Sequence, residues 1–307
     1  MKIAHISDLH ICSKLRHSNI KRTRFLLNYI VENNYDHIVI SGDITDNAET
    51  KDFKIFREIL EQFDLLDSHK VSLVIGNHDI FGGIQTVDDI LDFPSRCQKV
   101  SYKSKINQFG EYFLETFSHA FHPNDSDLFP YVKNLGDAAL IGINSIAEYS
   151  HLKNTFAAKG KVSKEEIAGI QRIFSSKEYL GKIKIVLIHH HFFKYPDEFS
   201  SSEPNLWRKI EGNMMKLTKK KRILKLFANN NVKLILHGHI HGNCEYTRNN
   251  IKIINAGLTF NDINANLVQF NSITIEKGEI FNETVTLDRS WKSIGKLSIL
   301  GNRAANF

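Results

Sequence analysis

Five short apolar runs constrain the fold of this chain more than any other feature of its sequence. They cover residues 2–6, 37–40, 71–75, 183–188 and 232–236. Each run has the length of a strand and is rich in β-branched residues, with little alternation between apolar and polar positions. This pattern is typical of strands that are buried on both faces, as in parallel sheets covered by helices. The sequence therefore predicts an α/β fold.

Histidine, aspartate or asparagine follows each of these runs. In chain order, the polar residues after the five runs are Asp8 and His10, Asp43, Asn77 and His78, His189 and His190, and His239 and His241. A sixth run, at 251–254, leads instead into Asn255-Ala256-Gly257. Loops at the carboxyl ends of strands gather ligands in α/β sheets, so we expect these side chains to meet at one edge.

This mixture of side chains predicts a site for two divalent metal ions. Carboxylate, imidazole and amide groups without a nearby thiolate pair suit Mn, Fe, Co or Zn. Seven or more candidate ligands are too many for one tetrahedral ion, which favours two. Asp43 is the only carboxylate of its cluster and follows Gly42, which permits a tight turn at the strand end. Asp43 is therefore expected to bridge the two ions.

Five sequence blocks resemble those of the calcineurin-like metallophosphoesterases. In order, they are Asp8-Leu9-His10, Gly42-Asp43, Gly76-Asn77-His78-Asp79, the strand-end His189, and Gly238-His239-Ile240-His241. The resemblance extends over roughly residues 1–257 and is greatest to the bacterial branch often called cyclic-nucleotide phosphodiesterase-like. The long segment between the third and fourth blocks, and Phe192-Phe193 where prolines are usual, depart from that branch.

The resemblance implies a role for each residue of these blocks. One ion would take Asp8, His10 and His241, the other would take Asn77, His189 and His239, and Asp43 would bridge them. The implied substrate contacts are Asn77, His78 and His190. Within His189-His190-His191, His189 is preferred as the ligand because it follows the strand directly, and His190 is the alternative.

The implied chemistry is hydrolysis of a phosphoric ester without a covalent enzyme intermediate. Two ions about 3.5–4 Å apart lower the pKa of a bridging water, so that hydroxide is present near neutral pH, and hold the phosphoryl oxygens for in-line attack. His78 would then stabilise the developing charge or protonate the leaving oxygen. Asp79 would orient the surrounding groups.

The resemblance also implies a four-layer αββα sandwich, the metallophosphatase fold, in which two packed mixed β-sheets are flanked by helices. Residues 163–166 form a capping box that predicts a helix extending to 180, and 266–287 predict a hairpin about Lys277-Gly278. Residues 1–287 are expected to form one catalytic domain, with a C-terminal tail at 288–307. The aromatic-rich segments 92–133 and 192–215 are interpreted either as lid insertions or as ordinary packed insertions.

Composition and charge agree with a single globular enzyme. The chain has 307 residues, of which 42% are hydrophobic, and its net charge of +6 suits an anionic substrate. The basic run 216–225 is interpreted as the solvated face of a helix, with nucleic-acid or anionic-membrane contact as the less favoured alternative. The chain lacks a membrane-spanning apolar stretch, and its first strand leaves no room for a signal peptide. We therefore expect a cytoplasmic location, with peripheral membrane contact as the alternative.

Several functions fit these features. The leading hypothesis is a dinuclear phosphodiesterase that cleaves a small diester, such as a cyclic nucleotide or a glycerophosphodiester, by metal-activated hydroxide. The second hypothesis is a pyrophosphatase acting on a nucleotide-linked lipid sugar of the UDP-diacylglucosamine type. The third is a nuclease. A metal-free interaction scaffold is disfavoured because every ligand position is filled. The substrate is thus expected to be a phosphorylated small molecule or a lipid-linked one, and the oligomeric state stays open.

Overall fold

The structure is a computed structural model that describes residues 1–84, 87–124, 127–192, 215–260, 264 and 266–289. The strands found there are β1 (Lys2–Ile6), β2 (His37–Ile40), β3 (Val71–Leu73), β4 (Tyr131–Leu135), β5 (Ala138–Ile143), β6 (Ile183–Ile188), β7 (Val232–His237), β8 (Cys244–Arg248), β9 (Ile251–Asn255), β10 (Leu267–Glu276) and β11 (Glu279–Asp288). The helices are α1 (His17–Glu32), α2 (Thr50–Gln62), α3 (His78–Phe81), α4 (Val87–Gln98), α5 (Tyr102–Tyr112), α6 (Leu114–Phe117), α7 (Lys164–Ser175) and α8 (Lys220–Asn229), with a short 3-10 helix at Lys177–Tyr179.

These strands form two mixed sheets. The first has the order β11-β10-β1-β2-β3, and the second has the order β4-β5-β6-β7-β9-β8. β1, β2 and β3 are parallel to one another, as are β5, β6, β7 and β9. The remaining pairs, β1–β10, β10–β11, β4–β5 and β8–β9, are antiparallel. The strands that precede the predicted ligands, namely β1, β2, β3, β6 and β7, are all among the parallel ones, so their carboxyl ends deliver those residues to one edge of each sheet.

Alternating residues of the second sheet pack into two different cores. Leu140, Leu187 and Leu234 belong to the large core that also contains buried residues of the first sheet. Ile141, Val186 and neighbouring residues face the opposite way and pack with residues of α7 and α8. The two sheets therefore lie face to face with helices outside, and the predicted four-layer metallophosphatase sandwich is confirmed.

Of the two local predictions, the hairpin is confirmed and the extent of the helix is not. The hairpin is confirmed, because Lys277 and Gly278 both have positive φ and join β10 to β11. The predicted helix to residue 180 is wrong: α7 ends at Ser175, since Ser176 adopts an extended conformation with ψ of 131° and a 3-10 turn follows. The Oγ of Ser163 does cap α7 by accepting from the N–H of Glu166.

The two segments interpreted as lid insertions differ in what the structure describes. Described residues of 92–133 form most of α4, together with α5, α6 and β4, and they contribute Phe93, Phe109, Phe113 and Phe117 to the large core. This segment therefore builds part of the fold, and a lid role for it stays a prediction. Most of segment 192–215, namely 193–214, and most of the predicted tail 288–307 lie outside the described residues.

Candidate metal centre

The loops that follow β1 and β2 run side by side and form one wall of the site. The backbone N–H of Asp8 donates to the carbonyl of Gly42 at 3.1 Å, and that of His10 donates to Asp43 at 3.1 Å. Both loops therefore continue the strand pairing for a few residues past the sheet. Since β3 lies next to β2, the loop that carries Asn77 and His78 joins the same wall.

Four of the predicted ligands have a backbone conformation that is rare outside glycine. Asp8, His10, Asp43 and His239 have φ of 53°, 43°, 50° and 70°. Side chains in this left-handed region cost on the order of 1 kcal/mol or more each, and such residues cluster at functional sites. The conformation turns each side chain out of the strand direction, which lets residues of separate strands converge.

Two glycines keep the loops close enough for this convergence. A Cβ on Gly238 would lie 1.9 Å from the Oγ of Ser7 and 2.5 Å from the Oδ2 of Asp8. A Cβ on Gly76 would lie 2.1 Å from the Oδ1 of Asp43. Because no side chain fits at these distances, glycine at both positions is what allows the neighbouring loops to approach the carboxylates.

The first group of ligand atoms comes from the loops after β1 and β7. The Oδ1 of Asp8 lies 3.9 Å from the Nε2 of His10 and 3.9 Å from the Nε2 of His241. The Oδ2 of Asp8 accepts the backbone N–H of His239 at 3.1 Å, which fixes the carboxylate against the last loop. Asp8 and His10 are buried, whereas the side chain of His241 is 58% exposed. The open side of this group is therefore the side of His241.

The second group comes from the loops after β2, β3, β6 and β7. The Nε2 of His189 lies 3.3 Å from the Oδ2 of Asp43, 3.2 Å from the Oδ1 of Asn77 and 3.1 Å from the Nδ1 of His239. The Nδ1 of His189 donates to the carbonyl of Ser41 at 2.7 Å. This bond leaves Nε2 as the ring nitrogen that can bind a cation, and carbonyl partners of this kind orient metal-binding histidines.

Asp46, to which the sequence patterns assigned no role, lies between His10 and His78. Its Oδ1 lies 3.2 Å from the Nδ1 of His10 and 3.4 Å from the Nδ1 of His78, and its Oδ2 lies 3.1 Å from the Nε of Arg16. The signal for Asp46 was its place three residues after Asp43 in a strand-end loop. A carboxylate behind a histidine holds the ring so that its other nitrogen faces the ligand.

His78 and Asp79 connect the loop after β3 to the loop after β2 through different contacts. The backbone N–H of His78 donates to the Oδ1 of Asp43 at 2.8 Å, and its Nδ1 donates to the carbonyl of Asp46 at 3.0 Å. Asp79 accepts backbone N–H bonds from Gly76 and Thr45 at 2.9 and 2.8 Å. Asp79 thus ties the second and third loops together, while the Nε2 of His78 is the nitrogen left to meet a substrate.

The ring nitrogens of His190 bond to residues outside the ligand groups, although His190 follows His189 directly. Its Nδ1 accepts from the Oγ of Ser145 at 2.8 Å, and its Nε2 donates to the carbonyl of Ala158 at 3.2 Å. Both ring nitrogens therefore have partners, and the ring lies with its centroid 4.4 Å from that of His239. The predicted substrate contact of His190 stays a prediction.

The electrostatics of the site favour positive charge. Burial lowers the pKa of His78, but the negative charges of Asp43 and Asp46 outweigh this and raise it to about 9. Burial likewise opposes charge on His189, whose pKa nevertheless rises to about 9 because of Asp43. The same carboxylates would stabilise divalent cations.

The residues present fit bound metal ions. Three sets of ligand atoms have their members within 4.8 Å of one another, namely Asp8, His10 and His241; Asp43, His189 and His239; and His10, Asp46 and His78. Among the described residues, the Oδ1 of Asp8 and the Nε2 atoms of His10 and His239 are buried without a hydrogen-bond partner. Buried polar atoms nearly always have a hydrogen-bond partner, so the lack of one at these three atoms agrees with a site that binds metal.

Oxygen and imidazole ligands gathered at the carboxyl edges of two packed sheets define a metal-dependent hydrolase of the metallophosphatase class. Residues 1–243 match the model of the calcineurin-like phosphoesterase family. The chain belongs to that family, and it is a hydrolase of phosphoric esters.

Two curated bacterial proteins are similar in sequence. A "Probable cyclic nucleotide phosphodiesterase" of Ruthia magnifica is 23% identical over 299 residues, which cover 93% of this chain and 96% of that protein. A "Probable glycerophosphodiester phosphodiesterase GpdQ" of Arcobacter nitrofigilis is 31% identical over 86 residues, or 26% of this chain and 30% of that protein.

Solved structures share the fold at low identity. A dimetal phosphatase from Danio rerio has a TM-score of 0.57 at 10% identity and covers 93% of this chain and 95% of its own. The purple acid phosphatase PPD1 from yellow lupin has a TM-score of 0.54 at 13% identity and covers 97% of this chain and 52% of its own.

Proposed function

We propose that this protein is a dinuclear metal-dependent phosphodiesterase that cleaves a small phosphodiester. The observation that carries the proposal is that two ligand groups, one around Asp8 and one around Asp43 and His189, are linked by the bond from the backbone N–H of His239 to Asp8. Loops that are far apart in the sequence bring these groups together. The names of the two similar bacterial proteins support a diester, either a cyclic nucleotide or a glycerophosphodiester, as the substrate.

In this proposal the loops after β1, β2, β3, β6 and β7 together supply the ligands of two metal positions. Asp8, His10 and His241 would hold one ion, Asn77, His189 and His239 would hold the other, and Asp43 would bind both. Two such ions supply a nucleophile at neutral pH and neutralise the charge that develops on the phosphoryl oxygens. Elemental analysis would show which of Mn, Fe, Zn and Co the protein binds.

The protein's own side chains would orient the substrate and move a proton. His78 lies on the Asp46 side of the site with its Nδ1 bonded to a carbonyl, so its Nε2 would contact the phosphate and donate to the leaving oxygen. Its side chain is 26% exposed, which gives a substrate access to it. The amide of Asn77 would donate to a phosphoryl oxygen, while its Oδ1 faces the Nε2 of His189.

The choice of His189 as a ligand over His190 has geometric support. His189 has its Nε2 beside Asp43 and Asn77, whereas both ring nitrogens of His190 have other partners. The alternative of a lipid-linked pyrophosphate substrate depends largely on residues 193–214, which lie outside the described part of the chain. No described helix is both long enough and apolar enough to cross a bilayer. A cytoplasmic location stays a prediction.

A hydrolysis panel tests the proposal. The metal-free protein would be assayed with and without added Mn on bis(p-nitrophenyl) phosphate, p-nitrophenyl phosphate, cyclic nucleotides, a nucleotide-diphospho-lipid and single-stranded DNA. We expect Mn-dependent cleavage of the diesters and weaker cleavage of the monoester. Preference for the monoester would contradict the diester assignment, and preference for the lipid-linked pyrophosphate or DNA would replace it with that alternative.

A further inference from the structure

A cavity of about 410 Å³ lies between α5, the loop after β5, and the start of α7. This volume is within the range of pockets that bind small organic molecules. Its apolar lining comes from Ile106, Leu128, Phe129, Ile146 and Ala147, and the rest of the wall is polar or charged. The cavity contains none of the candidate metal ligands.

Glu166 lines this cavity and has one carboxylate oxygen without a partner. Its Oε1 accepts the backbone N–H of Asn144 at 3.2 Å, and among the described residues its Oε2 has no hydrogen-bond partner. The residue is only 8% exposed. Leaving a buried acceptor unsatisfied is unfavourable, which points to a ligand that supplies a donor.

The polar groups beside Glu166 are already engaged with one another. The hydroxyl of Tyr102 donates to the carbonyl of Ile146 at 2.6 Å and accepts from the Nδ2 of Asn144 at 2.9 Å. The Oδ1 of Asn144 accepts the backbone N–H of Ile146 at 2.8 Å. None of these groups donates to Glu166 Oε2, although all lie in the same wall.

The charge of the cavity lining favours a cation. Three exposed carboxyl groups, on Asp127, Glu148 and Glu165, join Glu166, and only Lys103 and Lys161 oppose them. Burial raises the pKa of Glu166 well above its ordinary value. A positive group in the cavity would favour the ionised carboxylate and would displace its proton.

We propose that this cavity binds the primary ammonium group of a small organic amine. Glu166 Oε2 accepts one of its N–H bonds, and the apolar body of the amine lies against Ile106, Phe129 and Ile146. The amine is either a free molecule or a group carried by the phosphodiester substrate. The binding site itself does not depend on the proposed reaction.

Titration calorimetry on the full chain tests the site with three probes that share the phenethyl group. Phenethylamine has a cation with N–H donors, its N,N,N-trimethyl derivative has a cation without them, and 2-phenylethanol has no charge. We expect phenethylamine to bind with release of a proton, and the other two to bind roughly 10-fold or more weakly, on the scale of one hydrogen bond to a charged group.

Two variants locate the binding in this cavity. Glu166→Gln keeps the shape but replaces the acceptor by an amide, so it should weaken phenethylamine binding roughly 10-fold or more and remove the proton release. Ile106→Trp should fill the cavity and abolish binding. Glu178→Gln, an exposed change beyond the end of α7, should have no effect.

A second set of substrates separates the two sources of the amine. These are p-nitrophenyl phosphodiesters that carry either an ω-aminoalkyl or a plain alkyl chain of two to six carbons. If the substrate carries the amine, Glu166→Gln lowers kcat/KM for one aminoalkyl length and for none of the alkyl esters. If the amine is free, no length is affected. Absence of phenethylamine binding, or equal binding by wild type, Glu166→Gln and Ile106→Trp, would overturn the proposal.

Discussion

The Oδ1 of Asp46 lies 3.2 Å from the Nδ1 of His10, which directs the Nε2 of that imidazole toward Asp8. The same carboxylate oxygen is 3.4 Å from the Nδ1 of His78. One buried acid therefore orients a proposed ligand of the metal and the proposed proton donor. This pairing connects the proposed metal binding and the proposed proton transfer through one carboxylate.

Asp46→Asn should weaken metal binding without unfolding the protein. The amide keeps the shape but cannot hold the two histidines by charge, and loss of such a partner typically costs roughly 10- to 100-fold in metal affinity or activity. Competition with a metal chelator would measure the affinity. Asp64→Asn, at an exposed position, is the matched control. Unchanged affinity in Asp46→Asn would show that the contact with His10 is incidental.

His78→Ala should separate turnover from metal binding. We expect the variant to keep both ions and to lose roughly 10²-fold or more in kcat, the scale typical of removing an acid or an electrostatic stabiliser. Metal content by elemental analysis would be measured beside kcat, with the exposed His151→Ala as control. If metal content falls in step with activity, His78 is a metal ligand instead.

Lys133 should make stability depend on pH at a point remote from the metal centre. It is buried in β4, and its Nζ donates to the carbonyls of Ser68 and Val71. Burial lowers its pKa from 10.5 to about 7. The unfolded chain thus binds more protons than the folded one between these values, so the contribution of Lys133 to the free energy of unfolding rises with pH across this window.

Lys133→Met should flatten that rise, because methionine has no proton to lose. Urea denaturation at intervals from about pH 7 to pH 10 would show it, with the exposed Lys99→Met as the control. A wild-type slope that persists in Lys133→Met would show that the pH dependence comes from another group.

The positions of the strands were the most predictable part of the fold. β1, β2 and β6 begin and end where the apolar runs do, since burial on both faces leaves no polar position to blur the pattern. The start of α7 was equally clear from its capping serine, but its end was not, because no glycine or proline marks Ser176. β8 was missed because its burial alternates and is only partial, which resembles a loop in sequence.

The residues of the candidate site that could be predicted are those in the five sequence blocks. Asp8, Asn77 and His239 all follow buried strands, and the structure brings them to the same edge. Two residues could not be assigned in this way. Asp46 takes its position from the backbone turn after Asp43. The backbone N–H of Glu166 bonds the capping Ser163 as predicted, but its carboxylate accepts the N–H of Asn144. Both depend on tertiary contacts, which local sequence does not encode.

The number of metal ions bound by Asp43→Ala tests the central claim most directly. The proposal makes this carboxylate a ligand of both ions, so its removal takes one ligand from each and reduces the negative charge that holds them together. Elemental analysis of Mn-loaded protein should give two ions per chain for wild type and for Asp64→Ala, and fewer than two for Asp43→Ala. Two ions retained in Asp43→Ala would contradict the bridging role, and one ion in the wild type would contradict a dinuclear centre.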